Sequence, residues 1–278
     1  MTRAALIQLC ASDDPAANLD VTRGLVAQAA QAGASLVLTP EVTNCVSASR
    51  SHQRQVLTTE EDDASLAALR ADAAAVGLWI VIGSLALKTD DPDGRFANRS
   101  FLLSPDGGIA ARYDKIHMFD VEISETESYR ESAGFRPGAQ AVLAETPLGR
   151  IGMTVCYDIR FPHLYRALAQ AGADILTVPA AFSPVTGAAH WETLLRARAI
   201  ETGCYVLAPA QTGTHACTAG KPRRTHGHSI AVAPWGEVLA DAGTEPGVTL
   251  VDLDMAEVAR ARARVPSLQH DRPYGGPA

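Results

Sequence analysis

Ala32-Gly33-Ala34-Ser35-Leu36-Val37-Leu38-Thr39-Pro40 returns later in the chain as Ala171-Gly172-Ala173-Asp174-Ile175-Leu176-Thr177-Val178-Pro179. Each copy reads as a helix end with a glycine cap, then a short buried strand, then a proline. A second echo keeps the same order. Ser100-Phe101-Leu102-Leu103-Ser104-Pro105-Asp106-Gly107 is matched by Ser229-Ile230-Ala231-Val232-Ala233-Pro234-Trp235-Gly236, in both cases a strand running into a tight Pro-x-Gly turn. Together the echoes predict two similar halves, each a sheet with helices on one face, packed sheet against sheet with the helices outside.

Short Val, Ile and Leu runs alternating with helical spacing extend this α/β reading to the whole chain. Strands are expected at Ala4 to Cys10, Leu36 to Thr39, Trp79 to Ser84, Arg99 to Ser104, Arg150 to Val155, Ile175 to Val178, Tyr205 to Ala210, His228 to Ala233 and Thr249 to Asp252. Helices are expected at Pro15 to Gln31, Ala64 to Val76, Pro162 to Ala171, His190 to Thr202 and Met255 to Val265. No Gly/Ser-rich linker separates the halves, so residues 1–278 are expected to form a single domain.

Composition narrows the classes. The 278 residues are 47% hydrophobic, enough to bury a large core, and no stretch approaches the roughly 18 apolar residues of a membrane span. The start, Met1 to Gln8, lacks a secretory signal pattern, which places the expected location in the cytoplasm. A net charge of -7 argues against nucleic-acid or anionic-membrane partners. The densest basic stretch, Lys221-Pro222-Arg223-Arg224, reads as a solvated loop, and Asp90-Asp91-Pro92-Asp93-Gly94 as a hairpin loop without chemistry.

Three ionisable residues stand just past apolar strands, where α/β proteins place their sites: Glu41, Lys115 and Cys156. Each alone has an ordinary reading as a surface charge or an inert thiol. Among five cysteines, Cys10, Cys45, Cys204 and Cys217 read as small hydrophobes, and an odd count without CxxC in a chain with no secretory signal argues against a disulfide framework. Cys156 differs because it joins a strand to the polar run Tyr157-Asp158-Ile159-Arg160-Phe161-Pro162 and a helix, a place where backbone N–H groups converge on an oxyanion. His117, His163 and His190 have no spacing that supports a Cys–His dyad, and the pair His226 and His228 lacks a third ligand for a metal.

In combination, Leu38-Thr39-Pro40-Glu41, Tyr113-Asp114-Lys115-Ile116-His117 and Val155-Cys156-Tyr157-Asp158-Ile159-Arg160-Phe161-Pro162 resemble, in order, the three signature stretches of the nitrilase superfamily of carbon–nitrogen hydrolases. The resemblance covers nearly the whole chain. It implies a four-layer αββα sandwich, a Glu41–Lys115–Cys156 triad with a thioester intermediate, neither metal nor cofactor, and a homodimer or larger assembly with the tail from about residue 266 at its interface. It further implies that Glu131, in Tyr129-Arg130-Glu131-Ser132-Ala133-Gly134-Phe135-Arg136-Pro137-Gly138, positions the triad and that the Tyr157 N–H joins Lys115 at the oxyanion.

Longer stretches, Lys115 to Ile123, Thr186 to Glu192, and Arg198-Ala199-Ile200-Glu201-Thr202-Gly203-Cys204-Tyr205-Val206 with Ala210-Gln211-Thr212-Gly213-Thr214-His215, look like the branch holding deaminated-glutathione amidase and omega-amidase, more like the former. The expected substrate is then the amide of a small 2-oxo acid, whose carboxylate Arg160 would meet, with Phe182, Thr186 and His190 in the pocket. The alternatives are omega-amidase activity on 2-oxoglutaramate, a nitrile or N-carbamoyl hydrolase, and a silent binding protein on the same scaffold. Val42-Thr43-Asn44-Cys45-Val46 departs from the branch pattern beside the expected pocket.

Overall fold

The computed structural model describes residues 1–124 and 127–276. In chain order its elements are β1 (Thr2–Gln8), α1 (Pro15–Gln31), β2 (Leu36–Leu38), α2 (Arg50–Val56), α3 (Ala64–Val76), β3 (Trp79–Leu87), β4 (Ala97–Leu103), β5 (Ile109–Asp114), β6 (Asp120–Ser124), β7 (Glu127–Arg130), β8 (Val142–Thr146), β9 (Gly149–Met153), α4 (Pro162–Gln170), β10 (Ile175–Thr177), α5 (Pro184–Thr202), β11 (Tyr205–Ala208), β12 (Thr212–Thr214), β13 (Arg224–His226), β14 (Ile230–Val232), β15 (Val238–Asp241), β16 (Gly247–Leu253) and α6 (Ala256–Arg264). Helices α1 and α3 run between the residues expected from sequence because their ends carry explicit signals. Asp14 accepts from the Ala16 and Ala17 N–H groups ahead of Pro15, and Asp63 caps α3, which ends on left-handed Gly77.

Two six-stranded sheets form, ordered β16-β1-β2-β3-β4-β5 and β8-β9-β10-β11-β14-β15. In the first, β1, β2 and β3 are parallel, with β16 antiparallel on one side and β4 and β5 antiparallel on the other. The second repeats that pattern around parallel β9, β10 and β11. The halves therefore correspond strand for strand. The first echo lies on β2 and β10, the second on β4 and β14. Only the chain order differs, since β16, the last strand, closes the first sheet.

Side-chain alternation along the strands makes the layers. Ala4, Leu6, Leu36, Leu38, Val81 and Leu102 join one core with Ile151, Met153 and Ile175 of the opposite sheet, while Ala5, Ile7, Val37, Ile80, Ile82 and Phe101 pack with Val26, Ala29, Leu66, Leu69 and Ala73 of α1 and α3. Leu164 and Leu168 of α4 and Leu195 and Ala199 of α5 cover the second sheet. The result is an αββα sandwich. After α6, the tail lies on α4, with Arg166 and Gln170 donating to the Ser267 and Leu268 carbonyls and to Asp271.

Several elements differ from the sequence reading. Helix α5 starts at Pro184, not His190, because Ser183 and Pro184 open it and Gly187 lets His226 pack where a Cβ would come within 2.3 Å of the ring. His190 is thus inside the helix. Helix α2, the hairpins β6–β7 and β12–β13, and strands β8 and β15 were not expected; they are short and half-exposed, without the apolar runs that mark the central strands. Cys45 and Cys204 are buried as expected, whereas Cys10 is exposed and Cys217 partly so. Among the described residues no helix is long and apolar enough to cross a membrane.

Candidate active site

Pro40 ends β2 and delivers Glu41 to one end of the sandwich. The approach is close: a Cβ on Gly83 would sit 2.0 Å from the Thr39 carbonyl oxygen and 2.5 Å from that of Pro40, so only glycine fits there. Beyond Glu41, Val42 adopts a left-handed φ of 48°, and its N–H donates to Ser84 Oγ at 2.7 Å. The Glu41 carbonyl accepts from Gln211 Nε2 at 3.1 Å. Ser84 of β3 and Gln211, just before β12, thus fix the backbone on both sides of the carboxylate.

Lys115 follows β5, its N–H bonded to the Asn98 carbonyl and its carbonyl to the Gly138 N–H. Its side chain is 2% exposed, and its ammonium donates to Glu41 Oε1 at 2.8 Å and to Glu131 Oε1 and Oε2 at 2.9 and 2.8 Å. Asn98 Nδ2 bridges the same two carboxylates at 2.9 and 3.2 Å. The Ala181 N–H donates to Glu41 Oε2 at 2.9 Å, and the Phe119 N–H to Glu131 Oε2 at 2.7 Å.

Cys156 opens a short 3-10 turn, Cys156–Arg160, after β9. Its N–H donates to the Pro179 carbonyl at 2.9 Å, its φ of 50° turns the chain sharply as it leaves the strand direction, and the thiol lies near enough to Glu41 for that carboxylate to raise its pKa. Asp158, fully buried two residues on, holds this turn to the lysine loop. It accepts from the Val155 N–H, the Tyr113 hydroxyl, the His117 N–H and the His117 ring at 2.6 to 3.0 Å. Asp158→Asn would aim an NH2 group at some of these donors, and is expected to cost about 2–3 kcal/mol of stability. Urea unfolding checks this; an unchanged midpoint would show that the turn does not depend on the carboxylate.

The charges follow from this geometry. Burial raises the Glu41 pKa, but the charge and hydrogen bond of Lys115, helped by Arg223 and the Cys156 thiol, outweigh it and hold the carboxylate below its ordinary range. Burial lowers the Lys115 value, but Glu131, Glu41 and Cys156 overcome that and keep the ammonium charged well into alkaline conditions. Burial and then the Glu41 charge push the Cys156 thiol well up, against the opposing pull of Lys115. The resting arrangement is a carboxylate, an ammonium and a neutral thiol.

The cluster opens into a cavity of about 370 Å³, a size suited to a small metabolite. Phe182 and Thr186 line it, as do Tyr157, Glu131 and the departing segment at Val42, Cys45 and Val46. Arg160 and His190 do not. Arg160 lies behind Phe182 and Tyr157, 5.4 and 5.9 Å from their ring centroids, with its nitrogens 3.3 and 3.4 Å from His190 Nδ1. Arg50 and Arg223 reach the cavity instead. Arg223, expected in a solvated loop, is carried inward by the β12–β13 hairpin, and no local pattern marks it. Asn98 and Asp158 were also missed, since a buried Asn or Asp in a strand or turn carries no signal of its own. His228 pairs with Asp241 at 3.0 Å, its ring stacked on that of His226.

A buried thiol, carboxylate and ammonium at one end of an αββα sandwich define a class, the carbon–nitrogen hydrolases of the nitrilase superfamily, and the chain belongs to it. The carbon-nitrogen hydrolase family model matches residues 3–263. Within the family, the chain is 41% identical over 269 residues, 96% of its length and 92% of the relative's, to the deaminated glutathione amidase of Yersinia enterocolitica. Its fold is similar to that of Saccharomyces cerevisiae Nit3, a member of branch 10 of the nitrilase superfamily, with a TM-score of 0.84, 27% identity, and 97% and 96% of the two chains covered. It is also similar to an amidase from Nesterenkonia sp. AN1, with a TM-score of 0.78, 29% identity, and coverage of 98% and 94%; that structure shows covalent addition of the acetamide moiety of fluoroacetamide at the active site cysteine. The chain is a carbon–nitrogen hydrolase that acts on amides.

Proposed function

We propose that the chain hydrolyses the amide of a small 2-oxo acid, deaminated glutathione, through a thioester on Cys156. The observation that carries the chemistry is the Cys156 thiol sharing one buried cavity with a Glu41 carboxylate that Lys115 holds ionised across 2.8 Å. The substrate is the one for which the Yersinia relative is named. Glu41 takes the thiol proton as Cys156 Sγ bonds to the carbonyl carbon. The oxyanion is met by the Lys115 ammonium and the Tyr157 N–H. The C–N bond then breaks, the leaving nitrogen takes the proton from Glu41, and the acyl group remains on sulfur. Glu41 next removes a proton from water, which attacks the thioester and frees the carboxylic acid and the thiol. Glu131 keeps Lys115 in place between two carboxylates. Phe182 and Thr186 contact substrate, while Arg160 and His190 support Phe182 and Tyr157 from behind.

Incubation with deaminated glutathione is expected to release 2-oxoglutarate and cysteinylglycine, followed by a coupled dehydrogenase assay. Faster turnover of 2-oxoglutaramate, a nitrile or an N-carbamoyl amine would replace this substrate, and no turnover of any would sink the enzyme reading. We read residues 1–278 as one domain acting in the cytoplasm as a homodimer, paired through the α4–α5 layer and the tail from about residue 266. Exposed Val185 and Ile200 on α5 and Val265 before the tail support that face; light scattering that returns only monomer would remove it.

A further inference from the structure

The chain is acidic overall, yet its cavity gathers Arg50, Lys115, Arg130 and Arg223 against two carboxylates, Glu41 and Glu131. Both carboxylates are committed to Lys115. Arg130 sits at the exposed rim, 3.8 Å from Glu122. Arg50 and Arg223 face the cavity with no carboxylate in ion-pair contact among the described residues, although the charges of Glu131 and Glu41 act on them from further off.

Each of the two guanidinium groups is held in place by neutral contacts. Arg223 donates from Nη2 to the Ala181 carbonyl at 2.7 Å and lies 5.9 Å from the Tyr129 ring centroid, while its Nε is buried with no hydrogen-bond partner among the described residues. Ala181 is the residue whose N–H holds Glu41, so this cation stands one residue from the reacting groups. Arg50 donates to Gln53 Oε1 at 2.9 Å and lies 4.9 Å from the Phe135 ring centroid. Gly134 makes room for it, since a Cβ there would fall 1.7 Å from the guanidinium carbon. Thr186 Oγ1 is a further buried polar atom of the lining without a partner among the described residues. An unpaired donor in a partly dry cavity is costly unless a ligand meets it, and a guanidinium fork suits a carboxylate.

We propose that Arg223 and Arg50 are paired carboxylate receptors, so that the cavity selects a linear amide carrying an anionic group on each side of the bond that Cys156 cleaves. This deepens the amidase reading above and rests on it. Deaminated glutathione fits, having one carboxylate on its acyl side and one on its leaving group. An amide with one carboxylate fills one receptor, and a neutral amide fills neither.

The test compares kcat/KM for deaminated glutathione, 2-oxoglutaramate and a neutral amide in Arg223→Gln, Arg50→Gln and Gly134→Ala. Gly134 has an ordinary φ of -130°, so alanine there keeps every charge and displaces only the Arg50 tip. Each variant is expected to lose about 100-fold on the two-carboxylate amide, chiefly in KM, the size of a lost charge-assisted hydrogen bond. On 2-oxoglutaramate one arginine variant keeps its loss and the other does not; on the neutral amide Arg50→Gln and Gly134→Ala lose nothing, and Arg223→Gln keeps only the smaller loss in kcat that follows from its charge on Glu41. Equal losses on all three amides would overturn the proposal.

A second measurement does not depend on the physiological amide. Cys156 is alkylated with N-bromoacetylglycine and with the neutral N-bromoacetylglycinamide, and the rates are compared by intact mass. The preference for the anionic reagent is expected to fall about 10-fold in at least one arginine variant. An unchanged ratio in both overturns the receptor proposal. A changed ratio without turnover of deaminated glutathione supports it and sinks the substrate assignment alone.

Discussion

Cys156→Ala is expected to abolish amide turnover, with kcat falling at least about 10⁴-fold while the chain stays folded. No other thiol can take over. Cys45 also lines the cavity, and burial with the charges of Asp13 and Asp14 pushes its pKa up to about 12; unlike Cys156 it has no lysine beside it among the described residues to oppose that shift, and its thiol donates to the Asp13 carbonyl. Glu41 and Lys115 remain in the variant, so substrate binding is expected to persist without cleavage. Residual activity above about 1% of wild type would mean that water is activated directly, without a thioester. The same position carries a stability signature. Cys156 has a φ of 50°, a left-handed conformation that costs a residue with a Cβ roughly 1–2 kcal/mol and glycine almost nothing. Glycine also loses about 0.4–1 kcal/mol through the greater freedom of its unfolded chain. Strain relief outweighs that loss, so Cys156→Gly should be more stable than Cys156→Ala by roughly 0.5–1 kcal/mol, though equally inactive. Urea unfolding of the two variants reads this difference, and a more stable alanine variant would show that the site stores no backbone strain.

The sandwich was legible because its halves repeat signals that act locally. A glycine after a helix, three apolar residues and a proline dictate the same helix-to-strand step at Leu36 and at Ile175, and those steps became β2 and β10 of matching sheets. Glu41, Lys115 and Cys156 were legible for a related reason: each directly follows a strand end or its turn, and the fold brings those ends together. Arg223 and Arg50 were not. Their places depend on the β12–β13 hairpin and on α2, short elements with little apolar periodicity, so that Lys221 to Arg224 read as solvated when one of its side chains turns inward. Arg160 lies elsewhere than its place in the sequence suggested. It ends the 3-10 turn that Cys156 opens and lies 5.4 Å from the Phe182 ring centroid, a contact that only tertiary packing could reveal.

Lys115→Met should produce the largest combined loss, about 10³-fold in kcat and about 3–5 kcal/mol in stability near pH 7. The methionine fills the volume but removes the charge that two buried carboxylates share, since Glu41 and Glu131 lie within 2.9 Å of the same nitrogen. The pH dependence distinguishes this cause from a packing defect. In the wild type the folded Glu41 pKa is lowered from 4.5. Its contribution to stability is therefore fully present above that value and lost as pH falls through the folded pKa. In the variant, burial and like charge raise the pKa of the carboxylate pair above 4.5. The folded state then binds more protons than the unfolded one, so stability falls as pH rises through the raised pKa. Between pH 5 and 7 the wild-type contribution is flat and the variant's slopes downward. Urea midpoints at pH 5, 6 and 7 measure both, and parallel lines would refute the shared-charge account. Adding Glu131→Gln should flatten the variant's slope by removing one of the two repelling charges. Activity should not return, because the ammonium proposed to stabilise the oxyanion would still be missing.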